Sequence, residues 1–142
     1  MNAMIFRFGR WSFMAALLLL LTGCGLFSSR ETVDNNALNI PDLVRHFEKS
    51  GIKITSISLV RADVIHADDA VAIKIDGKEI GIYKFNIKIR KQREKLEHIT
   101  SNGFVHLVGF KYNTITNGSF LMVGADGNPQ YKELEKTFMA FK

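Results

Sequence analysis

The chain has few of the features that would cross-link it internally or carry it through a bilayer. It contains one cysteine among 142 residues, so it cannot form an internal disulfide. Its longest apolar run extends from Trp11 to Leu21 and is broken only by Ser12. A helix of that length rises about 16 Å, roughly half of a ~30 Å hydrocarbon layer. This run is therefore too short to span a membrane comfortably.

Signatures of several enzyme classes are also missing. The sequence has no Gly-x-Ser-x-Gly elbow, no glycine-rich phosphate loop followed by Lys-Ser/Thr, and no His-Glu-x-x-His pair. It shows no internal repeat either. These absences favour a protein that is not an enzyme, for which we expect no catalytic residue, no cofactor and no metal ligand.

The N-terminal segment has the organisation of an export signal. Arg7 and Arg10 precede the apolar run, and small residues follow it. Those small residues lead into a cysteine, in the order Leu21-Thr22-Gly23-Cys24. This stretch resembles the lipobox of bacterial lipoproteins, and the resemblance covers residues 4–24. It implies that residues 1–23 are a signal peptide that is removed, and that Cys24 becomes an acylated N-terminus with a diacylglyceryl thioether.

The resemblance also implies a location in the cell. Two or three acyl chains hold a protein stably on a membrane, so Cys24 is expected to anchor it in the bacterial cell envelope. Gly25 stands where inner-membrane lipoproteins usually carry Asp, which implies the periplasmic face of the outer membrane in a Gram-negative host. Loss of Arg7 and Arg10 lowers the basic residues from 19 to 17, against 14 acidic ones, for a net charge of +3. This charge is too small to indicate a nucleic-acid partner.

The rest of the chain divides into a tether and one folded domain. Residues 24–38 contain several Ser and Asn residues and little apolar periodicity, which predicts a flexible tether. Residues 39–142 are long enough to bury one core and predict a single α+β domain. The expected fold is an antiparallel sheet built from hairpins, with about three helices packed on one face.

Three helices are predicted from apolar periodicity and from capping residues. Asn39 caps the first helix, which ends at Gly51. Asn86 caps the second, which ends at Asn102-Gly103, and Asn128-Pro129 starts the third. The residues expected on the buried helix faces are Ile40, Leu43, Val44, Phe47, Ile89, Leu96, Ile99, Tyr131, Leu134, Phe138 and Phe141.

Strands are predicted where β-branched residues alternate with polar ones. Residues 52–60 form one strand, and Asp76-Gly77 turns a hairpin of type I′. The pairs expected across this turn are Lys74–Glu79, Ile73–Ile80 and Val71–Ile82. Residues 61–70 fit both a strand and a turn.

A second hairpin is predicted around Asn117-Gly118, the dipeptide that type I′ turns favour. Residues 104–116 form its first strand and residues 119–125 its second. In this register the expected pairs are Ile115–Phe120 and Tyr112–Val123.

The segment His66–Asp69 is the densest cluster of His and carboxylate residues. One imidazole and two carboxylates are ligands that a divalent metal accepts. No second group with metal-motif spacing accompanies them, so a polar turn is the favoured interpretation. A hydrolase or metal-dependent enzyme built on this turn is kept as an alternative function.

A basic run lies at the second predicted helix. It favours either a solvated helix face or a contact surface for an acidic partner or for anionic headgroups. Glu94 is the only acidic residue within it. The basic residues are Lys84, Lys88, Arg90, Lys91, Arg93 and Lys95.

The function that the sequence favours is that of a lipid-anchored binding or adaptor module. Anchoring through Cys24 raises its effective concentration near other envelope proteins, so an envelope protein is the expected partner. Such a module suits an accessory subunit of a secretion, pilus or conjugation assembly, or an exclusion or immunity protein. A periplasmic carrier of a lipid or small apolar ligand is the other alternative.

Overall fold

A computed structural model describes residues 33–142. The predicted signal peptide at residues 1–23, the lipidation site Cys24 and the first part of the predicted tether lie outside the described residues. Within residues 33–142 the chain forms a six-stranded antiparallel sheet and three α-helices, which confirms the predicted α+β class. No helix of this part of the chain combines the length and apolarity needed to cross a bilayer.

The elements follow one another in the order α1-β1-β2-β3-α2-β4-β5-β6-α3. The helices are α1 (Ile40–Lys49), α2 (Arg90–Asn102) and α3 (Tyr131–Met139). The strands are β1 (Ser56–Leu59), β2 (Asp69–Ile75), β3 (Lys78–Lys84), β4 (Phe104–Leu107), β5 (Phe110–Asn117) and β6 (Phe120–Val123). Across the sheet the strand order is β1-β2-β3-β6-β5-β4, so that β1 and β4 are the edges.

Helices cover both faces of the sheet, whereas the sequence analysis expects one covered face. Residues from α1 and α3 pack with Ile73, Ile80 and Phe120 on one face. Residues from α2 pack with Tyr83 and Leu121 on the other. All four residues of β6 are buried, and successive side chains of a strand point to opposite faces. Both faces therefore need apolar cover.

The first helix forms as predicted. Asn39 is its N-cap: the Asn39 side chain accepts a hydrogen bond from the Asp42 amide at 2.9 Å, and the Asp42 carboxylate accepts one from the Asn39 amide at 2.9 Å. The hydrogen bond from the Asn39 backbone is the main cause that lowers the pKa of Asp42. Gly51 follows the helix with a φ of +86°, the conformation expected of a residue just past a helix end.

The first hairpin also has the predicted register. Lys74 pairs with Glu79, and Ile73 pairs with Ile80. The turn residues Asp76 and Gly77 have φ values of +50° and +72°, the positive pair that a type I′ turn requires.

The predicted register of the second hairpin is wrong by two residues. Ile115 pairs with Met122 rather than with Phe120, and Asn117 pairs with Phe120, so the two-residue loop is Gly118-Ser119. Gly118 alone has a positive φ, +59°, as in a type II′ turn. Asn117 belongs to the strand because its buried side chain holds the end of α3, as described below.

Residues 104–116 form two strands instead of the one predicted. Val108 and Gly109 turn the chain between β4 and β5, with φ values of +50° and +83°. The segment 61–70 also resolves into a turn, with a short 3-10 helix at Asp63–Ile65 before β2.

Two predicted element boundaries also need correction. Only Ser56–Leu59 of the predicted strand 52–60 pairs with β2, because Ile52 turns into the core beside α1. The second helix begins at Arg90 rather than after Asn86, and the Asn86 side chain accepts a hydrogen bond from the Lys88 amide at 3.1 Å. The predicted core residue Ile89 is consequently outside the helix and exposed.

Candidate functional site

The segment Val33–Leu38 packs onto the domain, so the predicted tether is wrong for these residues. Asn35 is 1% exposed and donates a hydrogen bond to the Asn117 carbonyl at 3.1 Å. Its side-chain oxygen accepts one from the Ser119 amide at 2.8 Å. The folded unit therefore includes residues before Asn39. We call the surface formed by residues 33–38, the loop 86–88 and the turn Gly118-Ser119 the exit end.

Lys84 was predicted as part of a contact surface. The structure instead places it inside the exit end. It is 8% exposed, and its ammonium donates to the carbonyls of Asn36 and Phe85 at 3.0 and 2.9 Å and to the Ser119 hydroxyl at 2.6 Å. Burial lowers the pKa of Lys84, and the Asp68 carboxylate partly opposes this shift. With three acceptors around it, this cation serves to hold residues 33–38 against the sheet.

Asn117 connects the same end to the C-terminal helix. Its buried amide donates to the carbonyls of Phe138 and Phe141, both at 2.7 Å. Phe138 lies in the last turn of α3 and Phe141 lies two residues after the helix ends, where backbone carbonyls lack the partners of a continuing helix. One asparagine thus joins α3, β5 and the N-terminal segment.

The other predicted basic residues border the exit end at the surface. Lys88, Arg90, Lys91 and Arg93 are exposed, and Lys95 is half-buried. Lys88 and Arg93 line an open cavity of about 390 Å³, together with Val33, Asp34, Asn36 and Ile87. Four of these six lining side chains are polar or charged. The structure therefore brings the basic run next to the point where residues 33–36 meet the domain.

A second surface lies at the opposite end of β5, where β4 and β5 form a projecting hairpin. β6 pairs with β5 only from Thr114 to Asn117, so the outer part of the hairpin pairs with itself alone. Phe110 is seven residues from Asn117, about 23 Å along an extended strand. We call its residues Leu107, Val108, Gly109, Phe110 and Tyr112 the hairpin tip.

The hairpin tip exposes three large apolar side chains, whereas its Leu107 packs partly buried against the core. Val108 is 95% exposed and Phe110 is 68% exposed, and Tyr112 is also exposed. Large apolar side chains grouped on one protrusion are typical of surfaces that bind another protein or an apolar phase.

Val108 is also in an unfavourable backbone conformation. Its φ of +50° lies in the left-handed region, which is rare for a β-branched residue. Asn, Asp or Gly would adopt this position of a type I′ turn at less cost. The Val108 side chain is exposed, so it gains no packing energy that would offset the backbone strain. Fold stability therefore does not explain a valine here. Strain of this kind clusters at functional sites.

The hairpin tip has no clear signature in the sequence. Val108-Gly109 is not among the usual turn dipeptides, so residues 104–116 were predicted as one strand. The available signal was the glycine in the middle of an apolar run, since a glycine inside a strand pattern often marks an interruption.

The turn His66–Asp69 does not form a cluster in the structure. The Asp69 carboxylate accepts a hydrogen bond from the Ala70 amide at 2.8 Å, and Asp68 accepts one from Gln92 at 3.4 Å. Asp63 binds Arg61 at 2.6 Å, and this hydrogen bond is the main cause that lowers the pKa of Asp63. Over the described range 33–142, no three His, Cys, Asp or Glu side chains are arranged to hold a metal ion.

The chain matches no protein-family model, and comparison with curated proteins and with solved structures gives no significant match.

Proposed function

We propose that this protein is a lipid-anchored adaptor of the bacterial cell envelope, whose hairpin tip binds an envelope protein. The anchor rests on the resemblance of Leu21-Thr22-Gly23-Cys24 to a lipobox. The binding surface rests on one observation: Val108 combines 95% exposure with a left-handed backbone. A module of this kind suits an accessory role in an envelope assembly or an exclusion or immunity function.

The position of the tip favours a protein partner over the anchoring membrane. The N-terminal segment meets the domain at the exit end, and Phe110 lies about 23 Å from Asn117 along β5. A domain tethered through its N-terminal segment can therefore present the tip away from the bilayer. The partner needs a concave apolar surface, because apolar side chains of a protrusion are desolvated best in a pocket.

The anchor is tested by the intact mass of the protein purified from bacterial membranes. We expect a chain that begins at Cys24 and carries a diacylglyceryl group and further acyl mass. A chain that retains residues 1–23, or that starts at Cys24 without lipid, would contradict the proposed anchor.

The partner surface is tested by in-cell crosslinking and mass spectrometry at near-native expression. We expect one dominant envelope protein with the natural chain, and its loss with Val108→Asn combined with Phe110→Ser. The matched control is Leu59→Ser on edge strand β1, which removes a side chain that is 88% exposed. This control should keep the partner.

Two outcomes contradict the proposal in different ways. Absence of any discrete partner with the natural chain overturns the adaptor function. If the tip variant still binds the partner, the binding surface is not the hairpin tip. The same conclusion follows if only Leu59→Ser loses the partner.

A further inference from the structure

Four exposed cations lie within six residues of one another beside the exit end. Lys88 lies in the loop after β3, and Arg90, Lys91 and Arg93 lie in the first turn of α2. We call these four residues the basic surface. The acidic groups beside it are Asp34, which lines the same cavity, Glu94, which lies 3.8 Å from Arg90, and Asp68, which accepts a hydrogen bond from Gln92 in the first turn of α2. The basic surface therefore keeps a net positive charge.

The fold itself makes little use of these cations. Across residues 33–142, no carboxylate lies within ion-pair distance of Lys88, Lys91 or Arg93. The first turn of α2 contains no acidic residue, although the positive end of a helix dipole favours acidic residues and disfavours basic ones. Arg93 donates to the Ile87 carbonyl at 3.0 Å and leaves the rest of its guanidinium exposed. Stability does not explain this grouping of charge.

The length of chain between the predicted anchor and the domain limits what can face this surface. Eight residues lie between Cys24 and Val33, so the nine residue steps that join them span at most about 32 Å when fully extended. Val33 lines a cavity with Lys88 and Arg93, so the chain reaches the domain beside the basic surface. A domain held this way can bring its basic surface against the bilayer.

We infer that the basic surface rests on anionic phospholipid headgroups and orients the domain, with the hairpin tip turned away from the bilayer. This inference depends on the proposed anchor at Cys24, but not on the proposed partner. Each Lys or Arg close to an anionic surface strengthens binding to that surface roughly fivefold. The contact should weaken as salt screens it.

The test is acylation of lysines with an amine-reactive reagent, read residue by residue by mass spectrometry. The full chain is purified from membranes and reconstituted into vesicles of phosphatidylglycerol mixed with phosphatidylcholine, or of phosphatidylcholine alone. We expect Lys88 and Lys91 to react about fivefold more slowly on the anionic vesicles. Lys78 and Lys111, near the opposite end of the sheet, should react equally on both, and the difference should vanish at about 1 M salt. Buried Lys84 should stay unreactive throughout and reports that the domain is folded.

A matched pair of charge reversals isolates the basic surface. Arg90→Glu keeps both reporter lysines and should reduce their protection at least about threefold. Lys132→Glu reverses an exposed charge on α3, which covers the other face of the sheet, and should leave the protection unchanged.

Each result decides one part of the inference. Equal reactivity of Lys88 and Lys91 on both vesicles, with the chain still sedimenting with them, overturns the headgroup contact and leaves the anchor intact. Protection of Lys78 and Lys111 instead means that the hairpin end faces the bilayer, which overturns the proposed orientation. A chain that sediments with neither vesicle overturns the anchor itself, and with it the inference.

Discussion

The two turns at the ends of β5 differ in what surrounds them. Gly118-Ser119 lies under the N-terminal segment, where Asn35 donates to the Asn117 carbonyl, and Ser119 links Asn35 to Lys84 in a buried polar network. Val108-Gly109 projects into solvent and exposes apolar side chains around a strained backbone. Polar groups are buried around the first turn, and apolar groups are exposed to solvent around the second. The exit end therefore contributes to the stability of the fold. The hairpin tip has features that fold stability does not explain.

The largest expected effect comes from glycine-to-alanine changes in the two turns. A Cβ at Gly118 would collide with the Asn35 side chain and lie 2.7 Å from the Val33 carbonyl oxygen, whereas one at Gly109 would meet nothing within 4 Å. Both glycines have positive φ, so both changes cost about 1 kcal/mol of backbone strain. Gly118→Ala should lower the free energy of unfolding by about 3 kcal/mol, because it also displaces residues 33–35. Equal losses in urea unfolding would show that the N-terminal segment contributes nothing to stability.

The next effect concerns the buried lysine. Lys84→Met keeps the aliphatic stem but leaves the Asn36 and Phe85 carbonyls without their shared donor, and should cost about 2–3 kcal/mol. Lys88→Met changes an exposed lysine four residues away and should stay within about 0.5 kcal/mol of the natural chain. Thermal and urea unfolding measure both. A Lys84→Met protein as stable as Lys88→Met would contradict a structural role for Lys84.

The smallest expected effect has the opposite sign. Val108→Asn supplies the residue that a type I′ turn favours before glycine, so the free energy of unfolding should rise by about 1 kcal/mol. Val64→Asn, which changes another exposed valine at a negative φ, should alter stability by less than about 0.5 kcal/mol. If Val108→Asn destabilises the domain, the valine packs in a way that its exposure does not reveal, and the argument for a binding surface fails.

Local signals predicted the elements that local contacts decide. The cap of α1 depends on atoms three residues apart, between Asn39 and Asp42. The register of the first hairpin follows from Asp76-Gly77 and from the charge pair Lys74–Glu79. Such features can be predicted from a window of a few residues, because the interacting groups are neighbours along the chain.

The register of the second hairpin was predicted wrongly because distant contacts decide it. Asn117-Gly118 carries a strong local turn signal, yet Asn117 is a strand residue because its amide binds carbonyls 21 and 24 residues later. Distant contacts also decide which residues of the basic run are buried. Lys84 entered the interior through partners up to 48 residues away, while Lys88 stayed at the surface. A charge pattern alone does not distinguish these two fates.

By itself the sequence determined the α+β class, the first helix, the first hairpin and the expectation of a lipid anchor at Cys24. Each of these depends on a short pattern of apolar, turn or capping residues. Tertiary structure alone decided that Asn35 joins the core region, through a hydrogen bond that spans 82 residues, and that Lys84 is enclosed. It also decided that the basic surface and the hairpin tip lie at opposite ends of β5. The physical reason is that a buried polar group takes whichever partners the fold brings within hydrogen-bonding distance, and those partners are remote in sequence.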